Sequence, residues 1–271
     1  MELTKKTKAF AMYISSQKPL AYSAQVAFYF ILALFPFLYI IIRLAALFSI
    51  SNETMLEMLY YLFPGQGYSI ILYELESLSG ETWQVFVSGI IGIWSASMIV
   101  ATVKNAIRRG HREVNKRNFI IRKCISLIMT IVFGIGILVS IIAVFSLNIA
   151  AGFVTEFLGM GYFSEFLTVI TAGFIFLIDL VLTYMIAPAK KLKISEALPG
   201  AVVAEFLFLV GSVLFSFYVG EIADYSIVYG ALGGVIVLIM WLYICSFILI
   251  FGGHVNNYLM MKKQQKEQQT Q

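Results

Sequence analysis

The chain has 271 residues; 60% are apolar or aromatic, 13% are charged, and the mean hydropathy is +0.88. A soluble domain carries about 25% charged residues, so this chain cannot cover a water-soluble fold of its size with polar side chains. That excludes an ordinary soluble enzyme, a disordered chain and a disulfide-rich secreted scaffold. It leaves an all-α integral membrane protein, because a helix satisfies its own backbone hydrogen bonds in hydrocarbon.

The chain begins with a basic arm, 1–18, holding Lys5, Lys6, Lys8 and Lys18. Leu3, Phe10, Tyr13 and Ile14 fall near one helical face of it, as in a helix lying on an anionic inner leaflet. No small-residue cleavage site follows a short apolar stretch, so the arm does not read as a removable signal peptide. A helix needs about 20 apolar residues to cross a bilayer. Stretches poor in charge then predict six spans, roughly 26–48, 83–103, 124–147, 166–187, 198–220 and 230–253. Residues 58–73 are uncharged but too short, broken by Pro64-Gly65-Gln66-Gly67 and flanked by Glu53, Glu57, Glu74 and Glu76. They read as two short external surface helices, 52–63 and 68–79. The chain is thus a single transmembrane domain over 1–261, followed by a polar, mobile cytoplasmic tail, 262–271.

Lys and Arg set the orientation. Eighteen of the nineteen fall in the N-terminal arm, the 104–123 and 188–197 loops and the tail; only Arg43 is left over. The intervening loops hold no Lys or Arg and nine acids, so both termini are predicted to be cytoplasmic.

Pro36 lies about mid-membrane in the first span, where it removes a backbone hydrogen bond and bends the helix. Such breaks line many transporter sites and also occur as plain packing kinks. Gly134 and Gly136, and Gly230, Gly233 and Gly234, offer small faces for close helix packing. Arg43 lies roughly 7 Å from the outer end of its span and can snorkel outward. Asp179 and Glu205 lie roughly 12 and 10 Å inside the inner ends of the fourth and fifth spans. Carboxylates at that depth face a cavity or a partner. They are the candidate residues of a cytoplasm-facing polar cavity, binding a cation, carrying a proton or orienting a substrate; a hydrogen-bonded helix staple is the other reading. Tyr225 and Tyr229, one turn apart outside the last span, suit an outer gate or an interfacial anchor.

Several motifs carry a resemblance. The run Leu20-Ala21-Tyr22-Ser23-Ala24-Gln25-Val26-Ala27-Phe28-Tyr29, continuing to Leu34-Phe35-Pro36, resembles the first span of the YihY/BrkB family of bacterial inner-membrane proteins. Trp94-Ser95-Ala96-Ser97, Asn105, Pro188 and Leu198-Pro199-Gly200 fit that pattern. So does Tyr225-Ser226-Ile227-Val228-Tyr229-Gly230-Ala231-Leu232-Gly233-Gly234, followed by Trp241 and Gly252-Gly253. One departure is His254, at a position where the pattern has Glu after a small residue. The resemblance implies a six-helix cytoplasmic-membrane protein. Family members have been labelled ribonuclease BN, linked to serum resistance and proposed as transporters of envelope-related or lipid-linked molecules.

The nuclease label finds no support in the residues. Metal-dependent hydrolysis needs clustered His and carboxylates, and the two histidines, His111 and His254, stand far apart. The Arg-rich loop is explained by topology, so no nucleic-acid partner is expected. Cys124 and Cys245 lie in apolar runs and form no metal spacing. No catalytic residue, metal or cofactor is expected. The expected partners are the lipid bilayer and a lipid or small-molecule substrate. The leading expectation is a transporter or flippase-like permease, and the alternative is a non-transporting membrane scaffold or assembly protein.

Overall fold

A computed structural model of the chain describes residues 2–47, 82–110, 126, 161–188, 192–222 and 233–270. For some helix residues, including 37–47 and 161–169, it describes the backbone alone. Among the described residues every regular element is helical. They are α1 Glu2–Ser16, α2 Pro19–Leu47, α3 Thr82–Gly110, α4 Gly161–Ile186, α5 Ile194–Phe217 with a π turn at Tyr218–Ile222, and α6 Gly233–Thr270. The predicted third span and the two external surface helices fall outside the described residues, apart from helical Ser126.

Among the described residues three helices are long and apolar enough to cross a membrane: Phe86–Arg109, Ile194–Gly220 and Gly233–Gln269. Within α2 and α4, the stretches Pro19–Leu34 and Ile170–Ile186 are also apolar. Exposed side chains follow the helical period, as in Ile170, Phe174, Ile178, Leu182 and Ile186 on α4, or Val202, Phe206, Leu209 and Val213 on α5. A row of bare apolar side chains on one face of a helix is unfavourable in water and suits hydrocarbon.

Helix ends follow local punctuation rather than the edge of the apolar run. The corner between α1 and α2 is made by Lys18 in the left-handed region, φ 53°, with Pro19 opening α2. Proline suits a first helical position because its missing N–H has no helical partner there. α4 stops just before Pro188. α5 starts on a self-made cap: the Lys193 backbone N–H donates to Glu196 Oε2 at 3.0 Å, while Glu196 and Ala197 N–H donate to the Lys193 carbonyl at 2.9 and 3.1 Å. That is the reciprocal half of a capping box. α2 runs on through Pro36. α6 continues 38 residues, carrying the predicted polar tail as helix to Thr270. There Lys262 Nζ sits 4.7 Å over the Tyr258 ring, one turn back.

The chain divides into two compact units, one of residues 1–22, 100–209 and 247–271, the other of 23–99 and 210–246. The second unit is held by rings and small polar residues. Tyr29 meets Trp94 edge-on at 6.4 Å, Phe215 stacks on Trp241 at 5.0 Å, and Ser23, Ser95 and Ser97 are fully buried. The first unit holds most of the buried amide and glycine contacts described below.

Candidate functional site

The seven residues Gly252-Gly253-His254-Val255-Asn256-Asn257-Tyr258 form a single stretch of α6. On a helix, residues four apart share a face and consecutive residues point about 100° apart. The stretch therefore contains three i, i+4 ridges, 252/256, 253/257 and 254/258. Each ridge meets a different helix.

The 252/256 ridge meets α5. Asn256 Oδ1 accepts from the Gly200 backbone N–H at 2.6 Å, and Asn256 Nδ2 donates to the Ala197 carbonyl at 2.9 Å. Gly200 and Gly252 lie backbone to backbone. A Cβ on Gly200 would strike the Gly252 carbonyl and the Asn256 amide; one on Gly252 would strike the Tyr184 hydroxyl, the Gly200 carbonyl and Ala204. Ala197, Ala201 and Ala204 are fully buried along the same face of α5. This is the small-residue approach that lets membrane helices touch closely. From α4, Tyr184 reaches across and donates its hydroxyl to the Leu249 carbonyl at 2.7 Å. That carbonyl has a second lone pair beyond its helical bond.

The 253/257 ridge meets α3. Asn257 Nδ2 donates to the Ile107 carbonyl at 2.6 Å, and a Cβ on Gly253 would run into the Ile107 side chain. One turn before Arg108, Lys104 is buried, with 6% of its surface exposed. Arg108 Nε donates to the Ala187 carbonyl at 3.2 Å, tying α3 to the end of α4.

The 254/258 ridge, with Phe251, meets α1. Phe10 packs edge-on against Phe251 and Tyr258, and Tyr13 edge-on against His254 and tilted against Tyr258, with centroids 5.0 to 6.3 Å apart. His254 is fully buried here. Burial pushes the Tyr13 hydroxyl from its ordinary value of 10.0 up to about 12, with the neighbouring Asn257 side chain pulling the other way. A raised folded value means that the proton is held more tightly in the docked state. Docking is therefore fully stable below pH 10 and weakens between pH 10 and about 12. A spin label at exposed Met12→Cys is expected to stay immobile to pH 9 and to gain mobility above pH 10; Tyr13→Phe should flatten that transition.

The residues singled out from the sequence are placed as follows. Asp179 and Glu205 are both partly buried, on α4 and α5. The Asp179 carbonyl accepts from Thr183 Oγ1 at 2.8 Å. Glu205 Oε1 lies 3.2 Å from where a Cβ on Gly173 would stand. Gly173 is six residues from Asp179 along α4, which is about 9 Å of rise and roughly 240° of turn. Phe176 and Phe208 pack edge-on at 5.1 Å beside that contact. Pro36 is partly buried within α2. Arg43 lies on the described backbone of α2, with its side chain outside the described set. Gly233 is buried and Gly234 exposed where α6 begins. Gly134, Gly136, Tyr225, Tyr229 and Gly230 lie outside the described residues.

Reasoning from charge missed Asn256, Asn257, Tyr184 and the burial of Lys104. The available signal was the Gly-Gly-His followed four residues on by Asn-Asn-Tyr, a polar repeat at helical spacing.

A family model described as Virulence factor BrkB matches residues 13–271. A ribonuclease-like protein of Bacillus subtilis (strain 168), YfkH, is 33% identical over 250 residues, covering 89% of this chain and 90% of the relative. A UPF0761 membrane protein of Aliivibrio salmonicida (strain LFI1238) is 38% identical over 72 residues, 27% of this chain and 23% of that protein. No solved structure matches the chain. With a family model spanning nearly its whole length, apolar helices long enough to cross a bilayer and a relative matched almost end to end, this chain belongs to the BrkB family of membrane proteins.

Proposed function

We propose that the protein is a permease of the bacterial cytoplasmic membrane, with six spans and both termini cytoplasmic, moving an envelope-related or lipid-linked substrate. The observation that carries this reading is the pair Asp179 and Glu205. Each is an ionisable group on an apolar helix, set within the predicted hydrocarbon, and each is only partly buried. A carboxylate there is costly, so it is held by a partner or by water, and such groups mark substrate and ion paths. The alternation of basic and acid-rich loops supports the orientation. Asp179 and Glu205 are the proposed cavity residues. Pro36, Arg43, Tyr225 and Tyr229 are proposed as further residues of the substrate path.

One observation favours the scaffold reading. The Glu205 carboxylate rests against the Gly173 backbone and beside the Phe176–Phe208 ring pair, as a packing staple would. The two readings part on the double variant Asp179→Asn, Glu205→Gln, assayed in proteoliposomes for flipping of a fluorescent phospholipid and for uptake of a polyprenyl-linked sugar. A permease loses at least tenfold in rate at unchanged membrane abundance. A scaffold shows no substrate movement in either protein, and abundance falls instead.

A further inference from the structure

We propose that Pro199, Gly200 and Asn256 form a hinge latched by a side chain, on which the first turn of α5, Ile194–Leu198, swings away from α6 and admits water to the Ala201–Ala204 seam.

Pro199 stands sixth in α5, inside the helix rather than at its first position. It has no N–H to give the Ser195 carbonyl, and its ring crowds that carbonyl. The turn before it thus lacks one backbone bond to the rest of α5. The neighbouring backbone groups are instead held by another helix. Asn256 takes the Gly200 N–H and gives to the Ala197 carbonyl, one bond on each side of the proline. One amide therefore bridges the backbone on both sides of the break, and it can rotate out as a unit.

Three further features suit movement at this point. The first turn carries its own cap, through Lys193 and Glu196, so it keeps its shape when the latch opens. Gly200 and Gly252 meet as bare backbone, so no side chain of either residue interlocks the helices where they part. The outward side chains of this turn, Lys193, Ile194 and Leu198, are exposed among the described residues, with Ile194 at 63%. The turn is held from its inner side, by Ala197 and Gly200. The hinge does not depend on what the protein carries.

The test is thiol accessibility in native membranes. A background carrying Cys124→Ser and Cys245→Ser receives Ala201→Cys, at a position fully buried when the latch is closed. A membrane-impermeant maleimide is applied to inside-out vesicles. The hinge predicts slow but complete labelling at position 201. Asn256→Ala should speed it by roughly ten- to hundredfold, the effect of releasing a buried hydrogen-bonded pair. Pro199→Ala should slow it at least tenfold by restoring the missing backbone bond, at unchanged abundance. If the amide only repairs a static kink, position 201 stays unlabelled, or Pro199→Ala leaves its rate unchanged, and either result overturns the hinge. Should Asn256→Ala fail to accumulate, the comparison of Pro199→Ala with the parent still decides.

Discussion

Gly252→Ala is expected to cost about 3 to 5 kcal/mol, through overpacking and the hydrogen bonds that separation would break. The added methyl has nowhere to go. The Gly200 carbonyl is 2.7 Å from its position and Ala204 Cβ 2.9 Å, with the Tyr184 hydroxyl nearer still. A carbonyl fixed in a helix cannot yield as a flexible side chain would, so the two helices must part. Parting stretches both bonds made by Asn256 and the Tyr184 bond to Leu249 together. Since folded proteins hold about 5–15 kcal/mol in total, the variant should lose most of its thermal stability in detergent, read by fluorescence-detected size exclusion. Gly89→Ala is the control. Nothing lies within 4 Å of a Cβ there, and a helical Gly→Ala exchange is neutral or gains about 0.5–1 kcal/mol. Equal melting of the two variants would show that the Gly200–Gly252 approach is not a structural constraint.

Tyr184→Ala is the second large effect. The side chain is 1% exposed and is the largest of the fully buried ones among the described residues. Removing an aromatic ring from such a site costs about 3–5 kcal/mol, part in lost burial and part in the cavity left behind. Tyr184→Phe keeps the ring and loses only the bond to the Leu249 carbonyl, about 1 kcal/mol. The gap between the two variants separates packing from polar bonding. If Phe melted as low as Ala, the hydroxyl would be the dominant element and the volume argument would fail.

Much of the membrane architecture was legible in the chain. The predicted fifth span, 198–220, is met by α5 and its π turn, and the predicted second, 83–103, by α3. The differences lie mostly at the basic-loop ends. α3 runs on to Gly110, α2 begins at Pro19 and α6 reaches Thr270. A helix does not end where hydrocarbon ends, because its hydrogen bonds are internal in either solvent; it ends at a proline, a glycine or a cap. Lys104 shows the consequence. Counted as a loop charge, it lies in helix and is buried.

The candidate site was less legible, for a different reason. Spans were found from missing charges, and Asn256 and Asn257 carry none. An amide deep in a packed interface still needs partners: Asn256 finds both, and Asn257 Nδ2 finds its own, in backbone atoms of other helices. The position of His254 against Tyr13 on α1 follows from the corner at Lys18, which no local pattern of charge reveals.

What this sequence determined by itself is the solvent: a chain so poor in charge, with apolar stretches long enough to span, belongs in a bilayer as helices. That follows from sums over neighbouring residues, since hydrocarbon judges each segment of about 20 residues on its own. Which helix each ridge of Gly252–Tyr258 meets was decided only by the tertiary structure. Asn257 and Ile107 are 150 residues apart in the chain, and helical periodicity assigns a residue to a face without naming the neighbour that the face will meet.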